Sequence, residues 1–218
     1  MIKKLQKLKA KKGFTLVELI VVIAIIGVLA AILVPTMLGY VQSSRITSAD
    51  QVAKTIKDAA QVCATEMDTL GNGLKSKTVI AYGKYTSGDH TVVLTKADGT
   101  ALTGDNIKIG DDTDSTKDYK GMDPNSAKAA SKHASKLINS LQTLLTESKD
   151  GAFVVVYTNG TCTQAYWSED AAVKTLADSL NATTGLIKSS GEGDGWSTTP
   201  GILSSGNQIV GSSPKFNG

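Results

Sequence analysis

The sequence predicts an α+β protein, with one long amino-terminal helix packed on an antiparallel β-sheet head that carries additional helices. Three observations carry that expectation. From Leu19 to Ser44, a span of 26 residues, there is no charged side chain. After Tyr40 the apolar residues Val52, Ile56, Ala59, Cys63, Met67 and Leu70 recur at steps of three and four, while Asp50, Lys54, Lys57, Asp58 and Gln61 lie largely elsewhere on the helical wheel. Farther on, two β-rich segments bracket Asn159-Gly160, the pair that best supplies the positive φ angles of a type I′ hairpin turn.

The chain begins with a leader, Met1 to Lys12, that contains six lysines and no acid. Such a cluster keeps the amino end in the cytoplasm and sends the rest of the chain across the membrane. The apolar run behind it is long enough to cross a bilayer core, which takes roughly 20 helical residues. It offers no polar stripe, so the helix it forms is surrounded by lipid or by copies of itself. A conventional secretory signal places its apolar region before an A-x-A cleavage site. Neither Ala24 nor Ala30-Ala31 supplies that pattern, so the apolar helix is expected to survive in the mature protein.

The plain alternative for this segment is an ordinary single-pass anchor. Glu18 argues against it, because a carboxylate inside the leading turn of an apolar helix makes insertion costly and usually marks function. It stands four residues after Phe14, one helical turn away.

Gly13-Phe14-Thr15-Leu16-Val17-Glu18, after a lysine-rich leader and before a long apolar helix, resembles the prepilin signature of type IV pilins and the related pseudopilins. That resemblance covers about Lys11 to Tyr40. It implies cleavage after Gly13 by a prepilin peptidase, N-methylation of Phe14, and an assembly role for Glu18, whose charge the amine of Phe14 in the same or a neighbouring subunit would match. Gly27 and Pro35 also fall where such helices carry a glycine and a proline, and they are the expected points of helix flexibility. The implied partners are copies of the chain in a filament, the prepilin peptidase, the pilus assembly machinery, and membrane lipid before assembly. The implied location is the cytoplasmic membrane with the head outside, then a surface pilus with possible roles in adhesion or motility. A pseudopilin of a type II secretion or competence system is the alternative; a membrane-anchored extracytoplasmic enzyme is the remote one.

On this reading the chain divides into a leader (1–13), a transmembrane and filament-core helix (14–44), its amphipathic continuation (45–70) and a globular head (71–218). The formal charge of +3 becomes −3 once the six leader lysines are removed. Arg45 is the only arginine, and no lysine cluster interleaved with aromatics occurs outside the leader, so direct nucleic-acid binding is not expected.

Within the head, Thr78–Tyr85 and His90–Thr95 read as strands, followed by Asp98-Gly99 as a turn toward Thr100–Thr103, with Asn106–Ile109 as a further short strand. The loop from Asp111 to Asp118 crowds four carboxylates, which suits either calcium or plain solvation; it lacks the glycine and terminal glutamate of an EF-hand loop. Asp123-Pro124 opens a helix whose apolar face is Ala127, Ala130, Ala134, Leu137, Ile138, Leu141, Leu144 and Leu145. His133 is assigned to that helix's polar face.

Ala152–Thr158 and Thr161–Trp167 form a hairpin in which Tyr157 faces Cys162, and Phe153, Val155, Tyr157 and Cys162 point to the core. Cys63 lies on the apolar stripe of the long helix, so Cys63 and Cys162 are a candidate disulfide, the alternative being two buried thiols. Ser168 is the expected cap of a helix from Glu169 to about Ala182. From Gly185 half of the residues are Gly, Ser or Pro, which predicts irregular or mobile structure with Ile202-Leu203 and Ile209-Val210 pairing as edge strands. Trp196, set among glycines, is either an exposed ring able to stack on sugars or an anchor folded back onto the head. His90 and His133 accompany no triad or metal-ligand spacing, so the chain is read as a non-enzyme that holds no cofactor or metal.

Overall fold

The computed structural model describes residues 13–69, 74, 79–102, 127–181, 184–197, 199 and 201–215. Two compact units divide the chain between Ser43 and Ser44. The first helix, α1 (Leu16–Thr69), contributes residues to both.

In the first unit α1 is apolar all round and long enough to cross a membrane. Leu16, Ile20, Ile25, Leu33 and Leu38 are each more than half exposed. Pro35 lies inside the helix, where it has no N–H to donate. The following residue adds a bond of its own to this turn, since Thr36 Oγ1 donates to the Leu33 carbonyl at 2.9 Å.

The second unit is built on a five-stranded antiparallel sheet of β1 (Val79–Thr86), β2 (Thr91–Thr95), β3 (Gly151–Thr158), β4 (Thr161–Ser168) and β5 (Gly211–Ser213), in the order β2-β1-β3-β4-β5. Two further helices, α2 (Ala127–Leu144) and α3 (Val173–Ser179), complete it. β3 and β4 meet at Asn159-Gly160 with φ of 50° and 78°, as the sequence requires for this turn.

Both faces of the sheet are covered. On one, the α1 residues Ala49, Ala53, Ile56, Ala60 and Cys63 and the α2 residues Leu137 and Leu141 share a core with Tyr85, Leu94, Phe153, Tyr157 and Trp167. The small alanines let the helix approach closely while the sheet supplies the volume. Gly211 marks the closest approach: a Cβ there would run into the backbone of Ala49 and Asp50. Asp50 reinforces the contact by accepting from the Ser212 N–H at 2.9 Å and pairing with Lys215 at 3.4 Å. On the other face, Ile80, Val154, Val156 and Tyr166 pack with Val173 and Leu176 of α3 and with Ile187, Trp196, Leu203 and Val210 of the carboxyl-terminal stretch.

Several expectations change. Tyr157 does pair with Cys162, but the register then shifts so that Val156 pairs with Gln164. Thr163 is the extra residue of a β-bulge, and the bulge turns Ala165 and Trp167 onto the Cys162 face. Thr100–Thr103 forms no strand among the described residues; Ala101 makes a single bridge to Thr95. Ser168 does not cap a helix: it ends β4, its hydroxyl donates to the Ile209 carbonyl at 2.6 Å, and it accepts from Ala171 N–H at 2.9 Å. With that hydroxyl occupied in the turn, α3 begins only at Val173, and Ala172 stands at its N-cap. The Gly/Ser-rich tail is irregular yet packed, with Leu203 and Val210 wholly buried and Ile202 bridged to Ile209.

His133 is not on a polar face. It is completely buried, because residues 133, 137 and 141 share one side of α2. The leader, Gly71-Asn72-Gly73, Asn106–Ile109, the Asp111–Asp118 loop and Asp123-Pro124 lie outside the described residues.

Candidate functional site: the start of the long helix

Gly13, Phe14 and Thr15 precede the first helical residue, so the Gly13–Phe14 peptide bond lies in non-helical backbone. The Phe14 ring is 86% exposed, and the space around Gly13 is open.

Glu18 closes onto the same turn. Its Oε2 accepts from the Thr15 N–H and from Thr15 Oγ1–H, each at 2.8 Å, while Thr15 Oγ1 accepts from the Glu18 N–H at 3.3 Å. This is a reciprocal capping box, Thr15-x-x-Glu18, in which two helix-start donors are satisfied by two side chains. It also sets a negative charge at the positive end of the helix dipole. The carboxylate expected to await an amine thus has a second role in its own turn, which the Thr-x-x-Glu spacing announces. Both bonds fall on Oε2, and among the described residues no hydrogen bond reaches Oε1. One side of the carboxylate is therefore held, and the other is open to a donor from outside this turn.

Residues 8–34 match the family model for the prokaryotic N-terminal methylation motif. The curated relatives agree. A fimbrial protein of Pseudomonas aeruginosa is 44% identical over 59 residues, which cover 27% of this chain and 38% of that protein. In this segment the chain is similar to type IV pilins. A type IV major alpha-pilin of Moraxella bovis is 48% identical over 56 residues, covering 24% of this chain and 35% of the relative. A prepilin peptidase-dependent protein D of Escherichia coli is 37% identical over 78 residues, covering 33% and 53%. The chain thus spans about a third to a half of the length of these pilin relatives. No solved structure matches the chain.

Elsewhere the sequence candidates stand apart from this turn. Gly27 and Pro35 lie within α1. Cys63 and Cys162 are both buried and both free, so the candidate disulfide is absent. Each sulfur is engaged separately: Cys63 Sγ donates to the His133 carbonyl at 3.5 Å and Cys162 Sγ to the Gln164 carbonyl at 3.7 Å. Burial pushes both thiols up to about 12, which leaves almost no thiolate at neutral pH. Trp196 is 2% exposed, so its ring is the tail anchor and is not presented to a sugar. Among the described residues no group of three His, Cys, Asp or Glu side chains is placed to hold a metal ion.

Proposed function

We propose that this protein is the structural subunit of a type IV pilus filament, inserted in the membrane as a precursor through α1, cleaved after Gly13 and methylated at the new amine of Phe14. The single observation that carries the reading is the helix start. An exposed scissile bond, a half-engaged carboxylate and a run of uncovered apolar side chains succeed one another within a few turns. Thr15 orients Glu18 within its own chain, and Oε1 stays available for the α-amine of a neighbouring subunit. The apolar side chains of α1 meet lipid before assembly and the same helices of other copies afterwards. Gly27 and Pro35 give the helix the points at which it adjusts to that packing. On this reading the head is a coat, not a catalyst, and its partners are the peptidase, the assembly machinery and further copies of the chain.

Glu18→Ala tests the proposal. Membrane insertion should be retained or improved, since the carboxylate no longer has to enter the bilayer, and surface filaments counted by electron microscopy should fall by roughly tenfold or more, the loss that goes with about 1.4 kcal/mol. Mass spectrometry of the mature wild-type chain should read Phe14 as its first residue, carrying one extra methyl group. Normal filament numbers from the alanine variant would remove Glu18 from assembly, and a mature start beyond Ala30 would replace the pilin reading with ordinary secretion.

A further inference from the structure

The head buries one imidazole among its described residues, at the place where α2 meets both α1 and the sheet. His133 Nε2 lies 3.3 Å from the Tyr157 hydroxyl, and that hydroxyl donates to the Ala60 carbonyl of α1 at 3.2 Å. A phenol has one proton to give. With that proton directed at Ala60, the hydroxyl accepts from His133, which makes the ring neutral with its hydrogen on Nε2. Nδ1 is then a bare lone pair, buried, with no hydrogen-bond partner among the described residues. The two rings meet edge to face, with centroids 5.3 Å apart and planes at 82°. The backbone of the same residue accepts from Cys63. α2 is therefore tied to α1 and β3 through His133, and the bare Nδ1 is the one ring position where a second proton would sit buried and unpartnered.

The charged and titratable groups nearby offer an added proton little compensation. β3 presents Tyr157, and α1 presents Cys63. The Glu66–Lys136 ion pair joins α1 to α2 at the exposed rim and is already neutral as a pair. β2, which also packs on α2, contains only threonine, valine and leucine. Among the described residues no carboxylate bonds to the ring. A proton at Nδ1 would place a positive charge in the core with no counter-ion, a situation proteins resolve by neutralising the group or opening the structure.

We propose that His133 is an acid-sensitive latch: neutral, it holds α2 against α1 and the sheet, and when it takes a second ring proton it releases α2 while the β3–β4 hairpin stays folded. The direction comes from linkage. Burial lowers the group from its ordinary 6.5 to about 4, so the open form binds the proton more readily. The latch is at full strength above pH 6.5 and weakens as the pH falls from there toward 4.

Hydrogen exchange on the full chain in detergent micelles, corrected for intrinsic rates, reads the latch directly. Protection of amides in residues 133–144 should drop by up to about tenfold per pH unit below 6.5, as one linked proton requires, with β3 and β4 much less affected. His133→Gln keeps an N–H for Tyr157 and does not titrate, so its α2 protection should lose this slope. A flat wild-type profile, or an equal slope in the glutamine variant, overturns the latch. Should that variant fail to fold, ring ¹⁵N shifts of His133 in the wild-type chain decide: an Nε2–H tautomer with a midpoint well below about 6 supports it, and an ordinary midpoint near 6.5 overturns it.

Discussion

Most apolar side chains before Ser43 and most of those after it meet opposite fates although they are drawn from the same residue types. Ile25 and Leu33 in the first unit are more than half exposed, whereas Ile56 and Leu137 in the second are wholly buried. Burying such a side chain is worth about 1.5–3 kcal/mol. The second unit collects that gain within itself, by placing α1 and α2 on one face of the sheet and α3 and the tail on the other. Among the described residues nothing in the first unit provides such cover. The comparison teaches that one helix changes role along its length, and that the change is written in the spacing of its charges.

The largest effect that would sharpen this contrast comes from the tail. Trp196→Ala empties the middle of the outer core, and such deletions cost about 3–5 kcal/mol. Denaturant unfolding of the full chain in detergent should register that loss, while membrane insertion stays at the wild-type level. An unshifted midpoint would mean that the tail is an ornament on a head that does not need it.

A charge in the first unit should do the reverse. Ile25→Asp carries about 2.5–3.5 kcal/mol against insertion at the helix centre. Membrane fractionation should show less inserted precursor, and the unfolding midpoint of the head should not move. If the head were destabilised as well, the two units would not be independent.

A smaller effect is expected where β5 is fastened to α1. Asp50→Ala leaves the Ser212 N–H without its acceptor and removes the partner of Lys215, a change of about 1–3 kcal/mol. Faster hydrogen exchange confined to Gly211–Ser213 is the expected readout. Exchange unchanged there would show that the close seat of Gly211 on Ala49 suffices to hold the strand.

How much of the molecule is legible in the sequence depends on the distance over which each feature is specified. Asn159-Gly160 needs only its own φ angles, and the hairpin stands where it is expected. The α1 stripe is equally legible, since Ile56, Ala59, Cys63 and Met67 are all buried as the three- and four-residue steps require. Thr15-x-x-Glu18 is legible in principle, being a local spacing, but the charge of Glu18 masks its hydrogen-bonding geometry. His133 presents the same conflict: its spacing of four to Leu137 and eight to Leu141 puts it on the apolar face, while its polarity suggests the opposite.

By itself, then, the sequence determined the membrane-length apolar helix, the N-terminal methylation motif, the amphipathic continuation and the central hairpin, because each rests on neighbours within a turn or a pair of strands. Only the tertiary structure decided the bulge at Thr163, the double covering of the sheet, the anchoring of Trp196, the unbridged state of the two thiols and the burial of His133. Those depend on which surfaces meet across long stretches of chain, as when Asp50 meets Ser212 or Cys63 meets His133. Local periodicity states which face of an element is apolar; the packing of the whole head states what that face will touch.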